Sequence, residues 1–244
     1  MSIMNEHSTI THDTQMALTP ELVRQTMRPE PDLGDEPGLT PLSDQDLDDL
    51  ARRLDRECGG GHLWIFAYGS LIWKPDHEAV EQRRATAFGW HRAFTLRMNR
   101  WRGSPRQHGL MMALKRGGRC DGVIYRLPDQ DRIGQLRRVV LREIRYRENV
   151  DMLRWMDLHT SAGKTRALVF WAGTPPEKAG SEETLDEVAH VLARACGPAG
   201  SCAEYLYNTV LHLRQAGIND RNLWRLQELV ADQIAALRDG QVTR

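Results

Sequence analysis

Between residues 63 and 172 the apolar residues of this chain come in short runs rich in aromatic and β-branched side chains, broken by one long stretch of helical period. LWIFAY (63–68), AFGWHRAFTLRM (87–98), LMMALK (110–115), GVIYRL (122–127), MLRWMDL (152–158) and the apolar core of TRALVFWA (167–172) each read as a strand. DRIGQLRRVVLREIRYR (131–147) reads as the helix among them. The C-terminal part is helical: SEETLDEVAHVLARAC, SCAEYLYNTVLHLRQAG and NDRNLWRLQELVADQIAAL. Ser181 with Thr184, and Ser201 with Glu204, sit at candidate helix starts, the second pair in capping-box spacing. Strands first and helices largely later is an α+β arrangement. The expected form is a curled sheet or small barrel with flanking helices and a helical C-terminal part.

Residues 1 to about 40 are polar and proline-rich (MRPEPDLGDEPGLTP), without sustained periodicity. They read as a flexible or loosely docked extension. Ser43 is placed as the N-cap of DQDLDDLARRLD, whose acidic first turn suits the helix dipole, and the GGG at 59–61 ends that helix. The expected organisation is an extension over 1–60, partly flexible with one short helix, and a folded domain over 61–240.

Composition excludes some functions. Lys+Arg and Asp+Glu number 33 each, a formal net charge of +0, which argues against a chain held to nucleic acid by overall charge. The loop RMNRWRGSPRQH (97–108) is basic with one tryptophan, a weak signal best read as solvated, with Arg102 its one candidate for a substrate carboxylate. Cys58, Cys120, Cys196 and Cys202 form no CxxC pair, and the nine histidines show no HxxxH or HExxH spacing, so no metal site is expected. Reduced thiols, no leader-like start and no apolar run of membrane-spanning length lead to the expectation of a soluble, cytoplasmic protein without a membrane partner.

Two features carry chemistry. FAYGSLIW (66–73) breaks a buried run at Gly69-Ser70 with no polar turn around it. Either it is a tight sheet corner, or a glycine lets backbone N–H groups approach a ligand. The second feature is Glu143. At about 100° per residue, Ile133, Leu136, Val139, Val140 and Ile144 share one apolar face, and Glu143 falls inside that arc, while Arg138, Arg142 and Arg145 point away. Such a glutamate is either neutralised in a structural ion pair, Arg147 being the candidate partner, or it lines a cavity with its pKa raised for proton transfer.

Together these segments resemble the ChaC-type γ-glutamylcyclotransferases. WIFAYGSLIWKP is similar to the family's opening strand and loop. GWHRAF (89–94), MALKRGGRCDGVIYRLP (112–128), LREI (141–144) and GPAGSCAEYLYN (197–208) come after it in the family's order, over roughly residues 63 to 230. The resemblance implies a compact α+β barrel-like fold and cleavage of glutathione by cyclisation to 5-oxoproline and Cys-Gly, without metal or cofactor. It also implies Glu143 as acid and base, a γ-glutamyl cradle of Ile65, Phe66, Ala67, Tyr68, Gly69, Ser70 and Leu71, and Tyr205 near the pocket. The sequence departs from the family at Ala67, where glycine is usual, and after Glu143, where IRYRENVDMLRW replaces a G-x-Y step.

The alternatives are the same reaction on another γ-glutamyl amide or dipeptide, and a binding protein without turnover. A serine hydrolase built on Ser70 and His91 lacks the GxSxG elbow and an identifiable acid.

Overall fold

The computed structural model describes residues 15–173 and 183–242. Its centre is a closed barrel of five strands in the order β1-β3-β2-β4-β5. These strands span Trp64–Ala67 (β1), Glu81–Met98 (β2), Gly109–Arg126 (β3), Leu153–Thr160 (β4) and Gly163–Phe170 (β5). Neighbours pair antiparallel except at the seam, where β1 and β5 run parallel through Ile65 and Leu168. Closure gives every strand a neighbour on both sides, with β1–β5 and β2–β4 each joined at one register pair, Ile65 with Leu168 and Thr86 with His159.

Strand β1 explains the uninterrupted apolar run of the sequence, because both of its faces are covered. Trp64 and Phe66 point into a core shared by the barrel and the C-terminal helices. Ile65 and Ala67 point into a second core under helices α2 (Asp44–Cys58) and α4 (Arg132–Glu143). Leu47, Leu50 and Leu54 of α2 meet Leu136, Val139 and Val140 of α4 in that second core. Ion pairs of Arg137 with Asp44 and Asp48, and of Arg132 with Asp55, stitch the edges of the two helices.

Several boundaries differ from the sequence reading. LMMALK and GVIYRL belong to one continuous strand, β3, although KRGGRCD between them looked like a break. Gly117 and Gly118 take positive φ opposite the register shift at Gly89, so the glycines make a bulge inside a strand pair rather than an end. The helix expected over 131–147 stops at Glu143, and Ile144 is extended. Residues 40–42 pull the chain out of helical geometry: Leu42 N–H donates to the Arg145 carbonyl at 2.9 Å and Arg147 N–H to the Thr40 carbonyl at 2.9 Å.

The extension holds two helices, not one. A first helix, α1 (Pro20–Thr26), is capped by Thr19 with proline at its start. Ser43 and Asp46 form a capping box for α2, and Gly59 ends it in the left-handed region. From residue 15 onward the extension is docked: Leu18 is fully buried, its N–H donates to Gln227 at 2.7 Å, and the buried Thr26 hydroxyl donates to Ser201 Oγ at 2.8 Å.

After a one-turn helix α3 (Ser70–Trp73) and the later helix α5 (Leu185–Leu192) comes a two-residue hairpin, Cys196–Gly197 (β6) with Gly200–Ser201 (β7). It feeds α6 (Cys202–Gln215), and α7 (Arg221–Val242) closes the chain's described part. Thr184 caps α5, while the Ser181 start lies outside the described residues. Among the described residues no helix is long and apolar enough to cross a membrane.

Candidate active site

Where β1 runs out, the chain turns at Gly69 into α3, and this corner faces the C-terminal end of α4 and the first turns of α6. A small cavity of about 30 Å³ lies among Tyr68, Gly69, Ser70, Leu71, Met112, Glu143, Phe170 and Tyr205. The structure therefore brings together Glu143, Tyr205 and the Tyr68–Leu71 half of the expected cradle. It does not bring Ile65, Phe66 and Ala67 there. All three side chains are fully buried in the two cores, which β1 needs because both its faces are covered.

The glycine answers the question raised by FAYGSLIW. Gly69 has a negative φ, so left-handed backbone is not the requirement. A Cβ there would sit 2.8 Å from the Tyr205 hydroxyl oxygen and 3.5 Å from Met112 Sδ, so only glycine allows the loop this close to α6. The Ser70 N–H donates to that hydroxyl at 3.2 Å. Ala67 is ordinary strand backbone without positive φ, so alanine in place of the family's usual glycine carries no backbone strain.

Glu143 is the last residue of α4, and its carboxylate faces the cavity with 20 % of the side chain exposed. Arg142, which the helical projection pointed away, folds back on its long stem: its Nε lies 2.9 Å from Glu143 Oε1. Arg147, the partner expected for a structural pair, is engaged with Asp46 at 2.8 Å, because the helix ends before reaching it. Burial raises the Glu143 pKa above the ordinary carboxylate range; the Arg142 charge and hydrogen bond pull it down, and Asp76 pushes it up again.

Tyr205 sits on the first turn of α6, whose N-cap Ser201 accepts from Glu204 N–H at 3.0 Å. Its ring packs edge-on to Trp73 and Phe94, with centroids 5.6 and 5.8 Å away. Burial and then the Glu143 charge push its hydroxyl up to about 12, so it stays a proton donor. Tyr68 is held likewise, donating to the Phe170 carbonyl at 2.6 Å, and burial keeps it well above the usual tyrosine range.

Arg102 does not reach the cavity as a free cation. It donates to Glu204 and to the Ser201 carbonyl, each at 2.7 Å, and lies over the Tyr205 ring. Glu204 thus closes a bridge to Arg102 instead of the expected capping box. His91 bonds the Gly117 carbonyl and does not line the cavity that Ser70 lines. Among the described residues no three His, Cys, Asp or Glu side chains converge as a metal-ligand set.

Sequence reasoning missed Arg92, which anchors the loop from behind. Its Nη1 donates to the Tyr68 carbonyl at 2.8 Å, its Nη2 to the Asp121 carbonyl, and its Nε lies 3.0 Å from Asp220. A signal was present: with Trp90 and Phe94 it occupies the buried alternate positions of β2. Met112 and Phe170, the apolar walls, carry no comparable mark.

The comparisons with known proteins point to one family. The family model described as ChaC-like protein matches residues 63–233. The chain is 36% identical over 189 residues to the glutathione-specific γ-glutamylcyclotransferase of Escherichia coli K12, covering 77% of this chain and 81% of that protein. It is 26% identical over 175 residues to γ-glutamylcyclotransferase 2-3 of Arabidopsis thaliana, covering 69% and 88%. Among solved structures, a yeast γ-glutamyl cyclotransferase specific to glutathione superposes with a TM-score of 0.62 at 22% identity, covering 71% of this chain and 97% of that one; this likeness speaks to the fold.

Proposed function

The chain belongs to the ChaC-like protein family, and on that premise we propose that it degrades glutathione as a γ-glutamylcyclotransferase, with Glu143 as general acid and base. The observation that carries the reading is a raised-pKa carboxylate across a small cavity from the Gly69–Ser70 turn.

The substrate brings its own nucleophile. Its α-amine attacks its own γ-carbonyl, a C–N bond closes the five-membered ring, and the C–N bond to the cysteinyl nitrogen breaks. Products are 5-oxoproline and Cys-Gly. Because both reacting groups lie on one residue, the protein has to hold the folded-back conformer rather than gather two molecules. Glu143 takes the proton that the α-ammonium must lose and returns one to the leaving amine; a carboxylate with raised pKa suits both halves. Tyr205, its hydroxyl kept protonated, and the backbone N–H groups of Gly69 and Leu71 receive the γ-glutamyl group and the oxyanion, while the Ser70 N–H holds the Tyr205 hydroxyl in place. Tyr68 walls the cavity, and Ile65, Phe66 and Ala67 serve the site by fixing β1. We place the protein in the cytoplasm, where thiols such as its four unpaired cysteines stay reduced.

The test is product chemistry. Purified protein incubated with reduced glutathione releases 5-oxoproline and Cys-Gly in equal amounts, and a panel of γ-glutamyl dipeptides is turned over more slowly. Preference for a dipeptide would redirect the substrate. Tight glutathione binding without either product would make the protein a γ-glutamyl binder.

A further inference from the structure

The Arg142 guanidinium stands between two carboxylates. Its Nε lies 2.9 Å from Glu143 and its Nη1 3.2 Å from Asp76 Oδ2. The same group donates to the Lys74 carbonyl and, through Nη2, to Ser70 Oγ at 3.3 Å. Arg142 and Glu143 are largely enclosed, whereas Asp76 reaches in from solvent with 54% of its side chain exposed. Asp76 does so at φ 30°, in the left-handed half of backbone space that aspartate and asparagine tolerate better than most residues. An unfavourable conformation is thus kept where it lays a carboxylate on the far edge of the arginine.

We infer that Asp76 is a positioning residue for Glu143: it divides the Arg142 guanidinium between two carboxylates, so that Glu143 is held by one oxygen while the other turns into the cavity as the base. The consequence for rate rests on the cyclotransferase reading; the consequence for ionisation does not.

The remaining polar groups around Glu143 are neutral or already paired. From β1 and α6 come the hydroxyls of Tyr68 and Tyr205, both held protonated, with Arg102 behind Tyr205 but paired to Glu204. From the segment before β2 comes His77, half-buried against Tyr125, its ring nitrogens without a hydrogen-bond partner. Burial and then the Arg142 charge lower its pKa, so it adds no positive charge at neutral pH. Asp76 is the anion of the set, and its charge acts on Glu143 against that of Arg142. Without it the whole guanidinium charge falls on Glu143, which then ionises at lower pH and is a weaker base.

The experiment is Asp76→Asn, close in shape and suited to the same backbone. Carboxyl-carbon NMR of the ¹³C-glutamate-labelled full chain, with Glu143→Gln identifying the resonance, should find Glu143 titrating about half a pH unit lower in Asp76→Asn than in wild type. The difference should shrink in about 1 M salt, since Asp76 is exposed to screening. The acid limb of kcat/KM for 5-oxoproline release should move down by the same amount, and Asp76→Glu should restore both. Asp76→Ser gives the same comparison if asparagine disturbs the loop. A Glu143 titration unmoved or raised in the folded variants overturns the inference. Absence of 5-oxoproline from wild type would instead strike the cyclotransferase reading, with the NMR titration still deciding the role of Asp76.

Discussion

Two charged side chains occupy apolar faces of this molecule, and they are treated in opposite ways. Arg92 is surrounded: 2% of its side chain is exposed, Asp220 faces its Nε, and the carbonyls of Tyr68 and Asp121 take its other nitrogens. Glu143 is left incomplete: one oxygen meets Arg142 and the other side of the carboxylate borders open space. A buried charge with a partner at each nitrogen is a strut, since moving it would strand those partners. A buried charge satisfied on one side keeps an unusual proton affinity and room for a reactant, which is what proton transfer requires. The strut and the reactive group meet at the same loop, because Arg92 holds the carbonyl of Tyr68 one residue before Gly69.

That contrast can be broken at either end. The largest effect is expected from Glu143→Gln, which should lower turnover on the order of a thousandfold, the scale of general acid–base catalysis, while the unfolding midpoint stays near wild type. Arg92→Met should do the reverse in kind. It leaves the Asp220 carboxylate without its counter-charge and two carbonyls without their donor, at a cost of about 3 kcal/mol in urea unfolding, and activity falls only as the loop loosens. If Arg92→Met were stable yet inactive, Arg92 would belong with the chemistry and the distinction would fail. Gly69→Ala comes next: with its methyl 2.8 Å from the Tyr205 oxygen, the turn must shift, and kcat/KM should drop about tenfold with a smaller loss of stability.

The pH profile of kcat/KM sharpens the comparison most finely. Glu143 must be ionised to accept a proton, so kcat/KM falls as pH drops through its raised pKa in the free protein. The acid limb should therefore lie above the ordinary carboxylate value of 4.5. A limb at or below that value would mean that Arg142 outweighs burial.

Much of the fold was legible because apolar runs mark β1 and stretches of the longer strands, and because the helices have clear caps. The corner at Gly69 and the glutamate on the apolar stripe were legible too, as violations of local pattern. Long-range pairing hid the rest. Residues 40–42 end α4 at Glu143, and nothing between 131 and 147 announces that stop. The bulge at Gly117 and Gly118 depends on Gly89 in a partner strand, so the glycines alone read as a turn. Asp76 and Arg142 meet through a loop excursion that no helical projection contains. Arg92 is the instructive omission, because period-2 reading of β2 places it beside Trp90 and Phe94 by the same logic that singled out Glu143 on α4.

The central claim is that Glu143 moves the proton in a cyclisation. It is tested most directly by measuring 5-oxoproline release from reduced glutathione by wild type and Glu143→Gln side by side, with circular dichroism confirming equal folding. The account predicts product from wild type and essentially none from the variant. Equal release by both would contradict it.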